Sequence, residues 1–131
     1  MTNFNDHDLW NNGLITAMSL HCGPYSFGIR VQYDGKWSPQ YGCLVQGCLD
    51  ASYANANITF DHDERIMSLN VGESPYGHVA SLTFTTNKRK LQKCGISYPN
   101  STYTESGRRL EYVSGIYDDW YLYQLQFHWS D

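Results

Sequence analysis

Apolar and polar side chains alternate with a two-residue period along most of the chain, which is the period of a strand with one buried face. Ile29, Val31 and Tyr33 point one way while Arg30 and Gln32 point the other. Leu82 and Phe84 alternate with Ser81, Thr83 and Thr85, and Leu110 and Tyr112 alternate with Arg109 and Glu111. The last run is the clearest, with Tyr123, Leu125, Phe127 and Trp129 on one face and Gln124, Gln126 and His128 on the other. Clusters of Gly, Pro, Asn and Asp fall between these runs and mark turns. Only residues 49–54 read as helical, and that stretch is short.

The strand–turn–strand unit also recurs, loosely, about every 45 residues. One copy runs from Asp61-His62-Asp63-Glu64-Arg65 through an apolar strand to Gly72 and a tip at residues 73–78, and returns to Phe84. A later copy runs from Glu105 to Gly115, a tip at residues 116–121, and back to Phe127. A looser first copy joins Leu14–Cys22 to a strand ending at Tyr33 through Gly23 and a tip at residues 24–28. One hairpin sheet cannot bury its apolar face alone, but three facing inward around an axis can. The pattern therefore predicts a three-sided prism of antiparallel sheets in one domain, residues 1–131.

Composition narrows the function. A chain of 131 residues is one domain's worth and can bury a core without a metal. Tyr is abundant while Lys and Glu are scarce, a mix that favours strands. A net charge of −4 gives no field to hold nucleic acid. No apolar run has membrane-spanning length. The residues after Met1 are polar, so no signal peptide is readable, and the chain is either a mature secreted form or cytosolic. Four cysteines, Cys22, Cys43, Cys48 and Cys94, and two glycosylation triplets, at Asn57 and Asn100, favour a secreted or extracellular protein. Four cysteines allow three disulfide connectivities, of which Cys43 with Cys48 is the most local. Buried free thiols are the alternative. A zinc site lacks a CxxC partner and a spaced His pair.

Several motifs resemble the jacalin-related lectins, with the animal zymogen-granule lectins nearest in character. Ile15-Thr16-Ala17-Met18, Phe27-Gly28-Ile29-Arg30-Val31-Gln32-Tyr33, Trp37-Ser38 and Tyr41-Gly42 look like the family's opening hairpin. Ile58-Thr59-Phe60, leading to Asp63-Glu64-Arg65-Ile66, is similar to its second unit, and Leu82-Thr83-Phe84-Thr85-Thr86-Asn87-Lys88 to its "LxFxTNKG" strand. Val113-Ser114-Gly115 and Leu125-Gln126-Phe127-His128-Trp129 resemble its closing hairpin. The likeness runs from about Phe4 to Trp129. It implies a β-prism I fold, three four-stranded Greek-key sheets with pseudo-threefold symmetry. It also implies binding of mono- or oligosaccharides and glycoproteins without metal, cofactor or catalysis; a homo-oligomer is compatible with it.

In the family the sugar site combines a glycine-rich N-terminal loop, a recognition loop at a hairpin tip and a GxxxD binding loop. The recognition loop maps onto residues 72–79, with Tyr76, Gly77 and His78 at its tip. The binding loop maps onto residues 115–123, which contain Gly115, Tyr117, Asp118, Asp119, Trp120, Tyr121 and Tyr123. Counted forward from Gly115, the GxxxD aspartate is Asp119; counted back from Phe127-His128-Trp129, its place falls on Tyr123. The glycine-rich loop has no counterpart, since only Gly13 precedes Leu14.

The chemistry of those tips suits a glycan. Aromatic rings stack on the C–H faces of a pyranose, and carboxylates and backbone amides take its hydroxyls. The alternatives for these residues are an indole or phenol folded back onto the core and ordinary Asp turn chemistry. Asp61-His62-Asp63-Glu64 reads as a polar turn, since it lacks the glycine turn and distal glutamate of a calcium loop. Lys88-Arg89-Lys90 with Lys93 reads as a solvated strand end, or as a dock for a sulfated glycan or phosphate. His128 points outward and needs no catalytic role. Adjacent Asp118 and Asp119 do not flank a bond as a glycosidase pair does. The rival function is a β-prism used as a protein-interaction or matrix module after its sugar site decayed.

Overall fold

The computed structural model describes residues 1–23, 26–51, 54–98 and 101–131, with the backbone alone described at 51 and 54. The glycosylation triplet at Asn100 and part of the first predicted tip lie outside the described residues. The three predicted hairpins form as β2 (Ile15–Cys22) with β3 (Phe27–Tyr33), β6 (Ile66–Glu73) with β7 (Val79–Thr86), and β10 (Leu110–Tyr117) with β11 (Leu122–Trp129). Short strands complete each sheet. β4 (Lys36–Trp37) and β5 (Ala54–Thr59) flank the first, in the order β4-β3-β2-β5. β8 (Cys94–Gly95) and β9 (Thr102–Ser106) flank the second, in the order β8-β7-β6-β9. β1 (Thr2–Asn5) adds to β10 in the third. All pairings are antiparallel, and the three sheets share one apolar core as the sides of a β-prism. Among the described residues its third sheet has three strands where the resemblance implied four.

The inward faces meet in one apolar cluster. Met18, Leu20, Ile29 and Val31 come from the first sheet, Leu69, Val71, Leu82 and Phe84 from the second, and Val113, Leu122 and Leu125 from the third. Simple alternation fails at two places in the third sheet. Leu110 pairs with Trp129 but Tyr112 with His128, so Glu111 is an extra residue; Ile116 pairs with Gln124 but Tyr117 with Leu122, so Tyr123 is another. Each extra residue is a β-bulge that reverses which face the following side chains take. The expected placement of Tyr123 on the core face beside Leu125 is thereby corrected: Leu122, fully buried, fills that layer and Tyr123 is half-buried. Tyr112 likewise does not follow Leu110 into the interior but stacks on His128 at 4.2 Å and 8°.

Two further details differ from the reading of the sequence. The helical stretch begins earlier, as α2 (Gln46–Ala51), and a four-residue turn of helix, α1 (His7–Trp10), follows β1. Gly28 belongs to β3 rather than to the tip before it. The polar N-terminus has a structural role, because Asp6 is 0% exposed. Its carboxylate accepts hydrogen bonds from the Tyr33 hydroxyl at 2.7 Å and from the Tyr41 hydroxyl, while its N–H donates to the Val113 carbonyl at 3.0 Å. Burial pushes the Asp6 carboxyl above its usual range, and the two phenols only partly oppose this.

Both cysteine pairs are disulfides. Cys22–Cys94 ties β2 of the first sheet to β8 of the second across 72 residues, and Cys43–Cys48 closes the loop that enters α2. Asn57 is exposed on the edge strand β5. The polar turn and the basic stretch turn out to be one network. Lys88 pairs with Asp61 at 3.4 Å and with Asp63, and Arg89 reaches the buried Glu64 at 2.8 Å. Two charges of the basic run are thus paired with the protein's own carboxylates at its surface.

Two predictions follow from these ties. Replacing Cys22 and Cys94 together by Ala removes a long-loop crosslink, and urea unfolding should show a loss of about 4 kcal/mol. Glu64 is held near a pKa of about 2, against an ordinary 4.5, chiefly by the Arg89 hydrogen bond, with Thr86 and the Asp61 N–H adding to it against the cost of burial. A depressed carboxyl pKa stabilises fully above pH 4.5 and loses that contribution as the pH falls toward 2. Glu64→Gln should cost about 2 kcal/mol at pH 7, and the gap to the parent should close on acidification when both are unfolded by urea at pH 7 and pH 3.

Candidate functional site

Three loops meet at the end of the prism reached by the β6–β7 and β10–β11 hairpins. Residues 74–78 join β6 to β7. The Ser74 N–H donates to the His78 carbonyl at 2.8 Å, and the Gly77 N–H to the Ser74 carbonyl at 3.1 Å. Gly77 sits at φ +85°, a left-handed conformation that a side chain would disfavour, so the tight turn needs it. This turn leaves Tyr76 79% exposed and lays its ring near His78, with centroids 6.5 Å apart.

Residues 118–121 join β10 to β11 and are stitched by one side chain. Asp118 Oδ1 accepts the N–H groups of Trp120 at 2.9 Å and Tyr121 at 2.8 Å, and Oδ2 accepts the Tyr123 hydroxyl at 2.7 Å. Burial raises the Asp118 carboxyl, but the Tyr123 hydroxyl and the two backbone donors outweigh it and hold the group below its usual range. The Tyr123 phenol is pushed up to about 12, first by that same hydrogen bond and then by burial. Tyr121 stacks on His78 at 4.6 Å and 26°, and lies 5.8 Å from Tyr123.

Four of the expected residues, Tyr76, His78, Tyr121 and Tyr123, thus line one cavity of about 450 Å³, within the usual range for small-molecule sites. Gly77 supplies its turn and Asp118 its stitching. The structure separates two others from it. Gly115 is buried inside β10, where a Cβ would collide with the Gln124 carbonyl and lie 2.9 Å from the Phe4 ring. Tyr117 packs with its ring centroid 5.8 Å from that of Phe4 and 5.5 Å from that of Tyr41.

Asp119 and Trp120 face the third loop, which the sequence reading did not include. The Asp119 carbonyl accepts the Leu44 N–H at 2.7 Å. The Trp120 ring lies 3.4 Å from where a Cβ on Gly47 would be and remains 45% exposed, so it does not fold back onto the core. This loop is the one closed by Cys43–Cys48, with Cys43 itself at φ +53°. Its signal in the sequence was the local cysteine pair, which marked a closed loop but not its neighbour. Among the described residues no group of three His, Cys, Asp or Glu side chains gathers as a metal site. No described helix is long and apolar enough to cross a membrane.

The chain is thus a β-prism with aromatic loops gathered at one end. Residues 3–128 match the Jacalin-like lectin domain, and the chain belongs to that family. Among solved structures it is similar to jacalin in complex with melibiose, at TM-score 0.74 and 19% identity over 98% of both chains. It is also similar to a prostate-specific WGA16 glycoprotein lectin, at 0.71 and 19% over 97% of this chain and 87% of that one. A mannose-specific jacalin-related lectin from Morus nigra matches at 0.69 and 19%, over 88% of this chain and 79% of that one. A search of curated protein sequences found no match.

The stitching makes a checkable claim. Asp118→Ala strands two backbone donors and a phenol, so urea unfolding should show a loss of about 1–2 kcal/mol, with a weakened near-UV dichroism from the released tyrosines.

Proposed function

We propose that this chain binds glycans at the loop end of the prism, in the cavity walled by Tyr76, His78, Tyr121 and Tyr123, without catalysing a reaction. The observation that carries this reading is the aromatic wall itself. Four rings, three of them half-buried or more, line a concave space whose backbone is fixed by Asp118 and Gly77. A pyranose offers apolar C–H patches to such rings, and stacking adds roughly 0.5–1.5 kcal/mol per aromatic contact beyond the buried area. The Asp118 oxygens and the Trp120 and Tyr121 amides are already spent on one another, so stacking carries more of the binding here than carboxylate hydrogen bonds do.

The relatives support sugar as the ligand class. The jacalin structure holds a galactose–glucose disaccharide, and the Morus nigra lectin holds mannose. Two disulfides favour an oxidising compartment, and we infer a secreted protein. A single shallow site gives weak affinity, so glycoprotein capture would depend on several copies acting together.

A glycan array followed by calorimetry tests the reading. Tyr121→Ala should lower affinity for the best-bound sugar at least tenfold while leaving the melting temperature within about 2 °C of the parent. Binding that is indifferent to this change places the sugar elsewhere, and silence across the array returns the chain to the interaction-module alternative.

A further inference from the structure

The acceptor triplet Asn57-Ile58-Thr59 lies on β5, the edge strand of the first sheet, and the tip site makes no use of it. Strand alternation divides the triplet between two faces. Ile58 pairs with Met18 and packs against the core, while Asn57 and Thr59 are exposed on the opposite face. The middle residue, whose type the pattern leaves open apart from proline, thus serves the fold. The two residues the pattern requires face solvent together.

The Asn57 side chain is also uncommitted. Its neighbour on the same face is engaged, with Asn55 Oδ1 2.8 Å from His21 Nδ1. Among the described residues the Asn57 amide and the Thr59 hydroxyl have no hydrogen bond. Arg89 Nη2 donates to the Thr59 carbonyl at 3.0 Å, which holds the end of the strand without using that hydroxyl. Directly across from Asn57 on β2 stands Ser19, too small to cover it, and on its other side β5 has no strand partner among the described residues. A bulky group on Asn57 Nδ2 therefore displaces nothing buried and breaks no contact of the fold.

We propose that Asn57 is a site of N-linked glycosylation. The inference rests on the reading of the chain as secreted, since the donor, a lipid-linked oligosaccharide pyrophosphate, belongs to the secretory route. Asn57 Nδ2 attacks the anomeric carbon of the first sugar, and a carbon–nitrogen bond forms. The bond from that carbon to the pyrophosphate oxygen breaks, the lipid pyrophosphate leaves with its electron pair, and Nδ2 gives up one proton to a base. The glycan stands on the outer face of the first sheet. The tip cavity is walled by hairpins of the second and third sheets, so it stays open.

Mass spectrometry of the full chain, secreted from cultured animal cells behind a cleavable leader, tests this. Asn100→Gln is introduced in every recombinant sample, so that the second triplet adds no signal. Release by peptide-N-glycosidase in heavy-oxygen water turns a glycan-bearing Asn into labelled Asp. The intact mass should fall on release, and the label should sit at Asn57. Thr59→Ala, which keeps Asn57 but breaks the triplet, should lose both signals, as should Asn57→Gln. Both positions are exposed, and Asn57→Gln should leave the thermal melt and the affinity of the tip for its sugar at the values of the enzymatically deglycosylated parent.

The leader brings the chain to the donor whatever its native address, and protein retained in the cells is mapped in the same way as protein in the medium. An unlabelled Asn57 peptide in both therefore overturns the site and leaves the secreted reading standing, and a glycan mass that survives Thr59→Ala overturns the site as well. The protein from its natural source should carry the same label at Asn57. A labelled recombinant chain beside an unlabelled natural one overturns the proposal through the secreted reading on which it rests.

Discussion

None of the three hairpin sheets can bury its apolar face by itself, and the whole molecule follows from closing those faces on one another. Met18 and Val31, Val71 and Phe84, and Val113 and Leu122 belong to different sheets but to one buried cluster. Removing any sheet would expose the other two, so the interior is shared rather than divided. The joints reinforce that closure. Cys22–Cys94 pins the first sheet to the second. Asp6 pins the N-terminal segment to the first sheet through Tyr33 and Tyr41 and to the third through Val113. A buried carboxylate costs stability unless its oxygens are bonded, and here both are.

Closure of the interior also decides where binding chemistry has room. With the inward faces committed to packing, side chains free to meet a ligand lie on the hairpin tips and outward faces, carried by a rigid frame. The β10–β11 tip spends its carboxylate on its own rigidity. Asp118 fixes two amides and a phenol, and the rings it positions are those of Tyr121 and Tyr123. Preorganisation lowers the entropy lost on binding but leaves fewer hydrogen-bonding groups for a sugar.

The disulfide-closed loop adds a third element to this end. Leu44 bonds the Asp119 carbonyl and Gly47 lies beneath Trp120, so the loop before α2 and the β10–β11 tip support each other.

Much of the frame was legible from local pattern. Period-two alternation placed β3, β7, β10 and β11, and the repeat added β2 and β6 and paired the six into three hairpins, because strand periodicity is imposed by the backbone and turn residues by φ and ψ. The aromatic tips were legible for the same reason: rings between Gly and Asp on a turn cannot all be core. What local pattern could not give was parity across a bulge. Tyr123 reads as interior from its neighbours Leu125 and Phe127, yet one extra residue in β11 turns it out and brings Leu122 in. Gly115 reads as a loop glycine, yet it is the space into which the Phe4 ring fits. The burial of Asp6, the cysteine pairing between sheets and the Leu44–Asp119 contact all join residues far apart in the chain. Sequence alone fixed which segments pair locally and which side chains could serve a ligand. Only the tertiary structure decided which of them meet, because that depends on strand register and sheet closure, which no local window contains.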